Sequence, residues 1–197
     1  SLPRVLIIGD SISMGYFIPT RKLLAGKANV HRPLENCSST ENGIKKIDSW
    51  LGDGRWDVIH FNFGLHDIYW MKDGVAAQPG TGNRRVSSKK YKDNLEKIVA
   101  RLKRTGATLI WASTTPVPHG AKSRSSGDEV ERNTLAAKIM SDHGIEINDL
   151  YSFALKRLNS IQQPRDVHFK EEGSTELATI VAASIRNSLH ERTASGR

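Results

Sequence analysis

The chain has one cysteine, Cys37, among its 197 residues. No internal disulfide is therefore possible, and a packed core must hold the fold. Cys37 itself can be read as a nucleophile or as a buried residue. Free cysteines are among the most buried residue types, so the core reading is favoured. There is also no apolar run near the roughly 20 residues that a bilayer crossing needs, so no membrane partner is expected. The sequence carries no internal repeat, no linker that would split it, and no cluster of residues at metal-ligand spacing. One domain spanning residues 1–197 is expected, long enough to bury a real core, with no metal and no organic cofactor. A starting Met is missing as well: Ser1-Leu2-Pro3 leads straight into an apolar strand. That suits a trimmed or mature form, and cellular location stays open, as does oligomeric state.

Charge is not lacking. The formal net charge is +8 and the sequence pI is near 9.7, which invites a nucleic-acid reading. Basic residues gather at Arg84, Arg85, Lys89, Lys90 and Lys92, and again at Arg101, Lys103 and Arg104. Acids are interleaved (Asp93, Glu96), and no RNP, KH or helix-turn-helix signature accompanies them. A solvated helix face is the simpler account, and nucleic acid is not expected as a partner. The alternative kept open is an anionic substrate such as an acidic polysaccharide.

Short apolar runs alternate with amphipathic stretches, the pattern of β-α units on a parallel sheet. Val5–Ile8, Asp57–Phe63 and Ala107–Ser113 read as strands buried on both faces. Asn29–Arg32 and Ile145–Ile147 are weaker candidates. Helical patterns run from Gly43 to Leu51, Ser87 to Arg104, Asp128 to His143 and Ser174 to Leu189. A shorter helix capped by Asp149 runs through Leu150, Phe153, Leu155 and Leu158. The expectation is a three-layer α/β/α fold around about five strands. Lys72–Val86 and His119–Gly127 read as long loops at the carboxyl edge of the sheet, where open parallel sheets bind ligands.

Gly9-Asp10-Ser11 closes the first strand and precedes a helix. The turn exposes Ser11 near free helix N–H groups that favour negative charge, although such a turn also serves as an ordinary cap. Asp166-Val167-His168 lies near the other end. His is a suitable base for a Ser hydroxyl, and a carboxylate two residues away can fix its tautomer. Asp-x-His is also found as a metal-ligand pair or a chance surface pairing. Gly64-Leu65-His66-Asp67 closes the second strong strand.

In this order the motifs resemble the SGNH/GDSL hydrolase family over essentially the whole chain. Thr114-Thr115-Pro116-Val117-Pro118 and Asn148-Asp149-Leu150-Tyr151 resemble family segments of structural role. The resemblance implies a flavodoxin-like sheet and a triad of Ser11, His168 and Asp166. The implied activity is hydrolysis of small O-acyl esters, including acetyl groups on carbohydrate, through a covalent acyl-enzyme. An O-acyltransferase and a non-catalytic carbohydrate-binding protein are the alternatives. Two departures stand out. The second block, Glu35-Asn36-Cys37-Ser38-Ser39-Thr40, lacks the family's Gly, and His66 stands in place of the third block's Asn. The oxyanion donors expected are the N–H of Ser11, that of Ser39 or Ser38, and the ring of His66, which would add pH dependence. Asp10, Asn36, Ser38, Asp67, Tyr69 and Trp70 are candidate substrate contacts. For Asn36 and Asp67 a scaffold role is the favoured reading, and core packing is the alternative for Tyr69 and Trp70.

Overall fold

The structure, a computed structural model, describes residues 1–194. Strand β1 (Arg4–Ile8) leads into helix α1 (Ser11–Leu23), followed by β2 (Asn29–His31), α2 (Thr40–Leu51) and β3 (Val58–Phe61). A three-stranded ribbon follows: β4 (Trp70–Lys72), β5 (Val75–Ala76) and β6 (Asn83–Arg84). Then come α3 (Ser88–Lys103), β7 (Thr108–Ala112), α4 (Asp128–His143) and β8 (Glu146–Asn148). Two short helices, α5 (Leu150–Leu155) and α6 (Leu158–Ile161), precede the long α7 (Glu171–Ala194).

The main sheet has five parallel strands in the order β2-β1-β3-β7-β8. Strand order reverses between β1 and β3, and at that switch point the loops leave the sheet in opposite directions and open a crevice. Ser11 follows β1 and His66 follows β3.

Alternation along each strand divides the core into two layers. Val5, Ile7, Val58 and Ile110 pack with Leu177, Val181 and Ile185 of α7. Leu6, Ile8, Ile59, Phe61 and Trp111 pack with Ile47, Tyr91, Leu95, Ile98, Leu102 and Ile139 from α2, α3 and α4. Each such side chain contributes about 1.5–3 kcal/mol by leaving water, so both layers fasten the strand ends that carry the site.

Cys37 is buried in the second layer, and burial raises its thiol to about 12, as a core residue requires. Ser87 caps α3 and Asp149 caps α5 with their side chains, while Gly144 ends α4 in the left-handed conformation. Three expectations need correction. Residues 72–86 are not a plain loop, because Asp73 and Gly74 both take positive φ and turn β4 back onto β5. Such a pair is the chemistry of a two-residue hairpin turn. The helix starting after Asp149 breaks into α5 and α6 instead of running on through Leu158. Ile44 and Val130, apolar positions within the helical patterns at 43–51 and 128–143 that were expected to face the core, are exposed. For Ile44 the cause is Gly43, which brings α2 so close to α3 that an added Cβ would lie 2.7 Å from Ile98. That approach turns Ile44 outward.

Candidate active site

Gly9 ends β1, and the backbone enters α1 with Asp10 as N-cap. The Asp10 carboxylate accepts from the Ile12 N–H at 2.9 Å, and the Ser13 hydroxyl donates to the Asp10 carbonyl at 2.7 Å. These bonds fix the first turn, with Ser11 at its first helical position, where a backbone N–H has no intrahelical acceptor. Asp10 is only 2% exposed. Burial raises its pKa against the pull of that N–H, Arg124 and His168. Asp10 therefore acts as a buried cap, which corrects its assignment as a substrate contact.

The loop before α7 brings Asp166 and His168 to Ser11 across 157 residues of chain. Ser11 Oγ lies 2.8 Å from His168 Nε2. On the far side of the ring, His168 Nδ1 lies 2.6 Å from Asp166 Oδ1. The same carboxylate oxygen accepts from the His168 backbone N–H at 3.0 Å, so one residue sets both the ring and its backbone. Burial pushes the Asp166 pKa up, but the two His168 bonds, aided by the charges of His168 and Arg124, hold it below the usual carboxylate range. Ser11, His168 and Asp166 are thus brought together in one hydrogen-bonded chain. Asp166 serves His168 as a hydrogen-bond acceptor, and among the described residues no group of three or more His, Cys, Asp or Glu could hold a metal ion.

Opposite them sits the loop after β3. Gly64 lets it pass Thr114: an added Cβ would lie 2.1 Å from the Thr114 hydroxyl. Asp67 accepts from the Thr40 N–H at 3.0 Å and from the Thr40 hydroxyl at 2.5 Å. It is fully buried, and its pKa is raised by burial to about 7 in spite of these donors. Asp67 pins the start of α2 to the end of β3, so it is an anchor and not a substrate contact. His66, next to it, is partly exposed. Burial lowers its pKa to about 4, with Arg124, Arg85 and His168 adding repulsion. The ring is neutral in the physiological range.

In the second block, Ser38 and not Ser39 meets this ring. Ser38 Oγ lies 3.2 Å from His66 Nδ1. Ser39 is fully buried as the N-cap of α2, with its carbonyl accepting from the Gly43 N–H, which places it behind the site. Ser38 adopts φ of 60°, a left-handed conformation that suits Gly and costs a Ser about 1 kcal/mol or more. The Ser38 N–H donates to Asn36 Oδ1 at 2.9 Å, so Asn36 stabilises this bend.

The aromatic pair divides. Tyr69 packs edge-on against His66, with ring centroids 5.4 Å apart. Trp70 opens β4 and works between loops: its Nε1 donates to Ser125 Oγ at 3.2 Å, and Arg84 stacks 3.7 Å from its ring centroid. These partners tie Trp70 to the neighbouring loops while its side chain stays partly exposed. One residue was missed. Arg124 is 6% exposed, donates from Nε to the Leu65 carbonyl at 2.7 Å and lies 3.8 Å from the Tyr69 ring centroid. The only sequence signal was its place in a basic loop at the carboxyl edge.

No family model and no curated protein matches the sequence. Solved structures do match. A lipase/acylhydrolase from Enterococcus faecalis superposes with a TM-score of 0.79 at 17% identity, covering 94% of this chain and 96% of its own. An acetyl xylan esterase gives a TM-score of 0.74 at 15% identity, covering 92% and 99%. The chain has the SGNH hydrolase fold. A GDSL-like lipase from Bacteroides thetaiotaomicron shares it at a TM-score of 0.69 and 15% identity, covering 95% of this chain and 88% of its own. On this SGNH scaffold the polar groups described above gather at the switch point of the sheet.

Proposed function

We propose that the protein is a serine ester hydrolase that cleaves small O-acyl esters, with O-acetylated carbohydrate as the favoured substrate class. The observation that carries this reading is the relay from Ser11 Oγ to His168 Nε2 (2.8 Å) and from His168 Nδ1 to Asp166 (2.6 Å). The fold shared with an acetyl xylan esterase and an acylhydrolase supports it. So does the openness of the site: the His168 and Asp166 side chains are 50% and 52% exposed, which leaves room for a bulky alcohol component.

His168 Nε2 takes the Ser11 proton as Oγ attacks the ester carbonyl carbon. The C=O electron pair moves onto oxygen, which is held by the Ser11 N–H at the start of α1 and by the ring of His66. A neutral His offers one N–H. With Ser38 donating to Nδ1, that proton sits on Nε2 and is free for the oxyanion. Collapse expels the alcohol, protonated by His168. Water, deprotonated by the same nitrogen, then attacks the acyl-enzyme, and the acid leaves as Ser11 regains its proton. Asp166 keeps Nδ1 protonated and balances the imidazolium throughout.

Labelling with a fluorophosphonate tests the proposal. Wild-type protein should take up one label, at Ser11, and hydrolyse p-nitrophenyl acetate faster than longer-chain esters. Ser11→Ala should fold and do neither. Folded wild type that stays unlabelled would refute the hydrolase reading.

A further inference from the structure

A buried cation needs a counter-charge or excellent hydrogen bonds, because removing an ion from water is costly. Among the described residues two arginines are buried, and they handle this differently. Arg132, 1% exposed, bonds Glu131 at 3.0 Å, Ser88 Oγ at 2.6 Å and the Val86 carbonyl at 2.9 Å. Arg124, 6% exposed, is held by neutral partners: the Leu65 carbonyl and the Tyr69 side chain. Among the described residues no carboxylate forms an ion pair with it.

Its position gives that missing counter-charge a meaning. Leu65 precedes His66, Tyr69 touches the His66 ring, and the charge of Arg124 acts on Asp10, His66 and Asp166 alike. Through Leu65 and Tyr69 the guanidinium lies beside His66. The loop that carries it is fixed to the ribbon by the Trp70 N–H donating to the Ser123 carbonyl at 2.8 Å and by Trp70 Nε1 on Ser125. Exposed Arg85 adds to the positive field at His66, and exposed Arg165 precedes Asp166. A planar fork of donors with its stem fixed is suited to a carboxylate or sulfate.

Resting on the ester-hydrolase reading, we propose that Arg124 receives an oxyanion carried by the substrate, so that the preferred esters are acyl groups on acidic saccharides. Asp10 and Asp166 act on Arg124 only through space, and the substrate supplies the direct ion pair that the described residues do not. Arg124 is desolvated and bonded to neutral groups, and an anionic sugar would give it a direct ion pair. A neutral sugar leaves it as it was, so discrimination arises from that one contact.

Two measurements test this. The first compares wild-type kcat/KM on acetylated oligogalacturonate, an acetylated sulfated galactan oligomer and acetylated xylo-oligosaccharide. At least one anionic substrate should exceed the neutral one by about tenfold or more, as a charged hydrogen bond implies, and whichever it is identifies carboxylate or sulfate. The second measures binding of the deacetylated oligomers to Ser11→Ala protein, with and without Arg124→Gln and Arg124→Lys. Arg124→Gln should weaken anionic-oligomer binding about tenfold and leave xylo-oligosaccharide binding as it was, while Arg124→Lys should weaken it less. Equal binding of anionic and neutral oligomers, or no loss in Arg124→Gln, would overturn the proposal. Because binding needs no turnover, this arm decides the matter even if Ser11 is not labelled. A labelled, active enzyme without anionic preference would sink this inference alone.

Discussion

Removing the His66 ring probes the least usual part of the site. The ring is neutral, with burial holding its pKa near 4, and Ser38 Oγ sits 3.2 Å from Nδ1. If the Nε2 proton stabilises the oxyanion, His66→Ala should lose about 100-fold in kcat, the cost of one oxyanion donor at roughly 2.7–4 kcal/mol. KM should stay within a few-fold, because the charge develops only in the transition state. His66→Asn should recover most of the loss, since an amide again supplies an N–H. Ser38→Ala should lose a few-fold: without the hydroxyl, the tautomer that exposes Nε2–H is no longer selected, at a cost of about 1 kcal/mol. The deficit of His66→Ala should be the same at pH 6 and pH 8, because the ring gains its second proton only near pH 4. The pH dependence anticipated from a His at this position is thereby displaced into acid. Steady-state kinetics on p-nitrophenyl acetate provides the assay. A kcat within about threefold of wild type for His66→Ala, or a change confined to KM, would refute the assignment.

Asp166→Asn should lower kcat on the order of 10³ with an unchanged melting temperature. That is less than the roughly 10⁴ typical of a buried triad carboxylate, because the Asp166 side chain is 52% exposed, and a loss under tenfold would count against the triad. His60 tests the core. It is fully buried beside Tyr16, accepts from Asn148 at 3.1 Å, and burial lowers its pKa to about 3. On acidification the unfolded chain protonates this ring near pH 6.5 while the folded one resists, so its contribution is full above pH 6.5 and is lost towards pH 3. Asp67, raised to about 7, works with the opposite sign between roughly pH 4 and 7. Urea unfolding at pH 7 and pH 5 should therefore show His60→Gln less acid-sensitive than wild type by up to about 1.4 kcal/mol per pH unit, and identical slopes would contradict this. Gly64→Ala forces a Cβ to 2.1 Å from the Thr114 hydroxyl. It should cost about 1–3 kcal/mol in thermal unfolding and lower turnover by displacing His66.

The sheet and the meeting of Ser11, His168 and Asp166 were legible because their signals survive without tertiary context. Val5–Ile8 and Val58–Phe61 are apolar on both faces, which only a central strand can accommodate, and Ser11, Asp166 and His168 follow in an order that a parallel sheet brings to one edge. What failed to show was backbone conformation and the burial of polar groups. The Asp73-Gly74 turn does carry a hairpin signal, but the Gly, Pro and Asn residues after it mask it as a loop. Ser38 gives no hint of its left-handed φ, so the choice between it and Ser39 waited on the turn made by Asn36. Asp10 and Asp67 stand next to catalytic motifs and invite a ligand-contact reading, whereas Arg124 sits in a loop that no motif marks, yet all three are buried. Two of them have their donors in hand, Asp10 from Ile12 and Asp67 from Thr40, and so are explained as scaffold. Arg124 forms no direct ion pair with any acid among the described residues. The same test that removes the two aspartates from the substrate site, whether the fold satisfies the buried charge, is the one that adds the arginine.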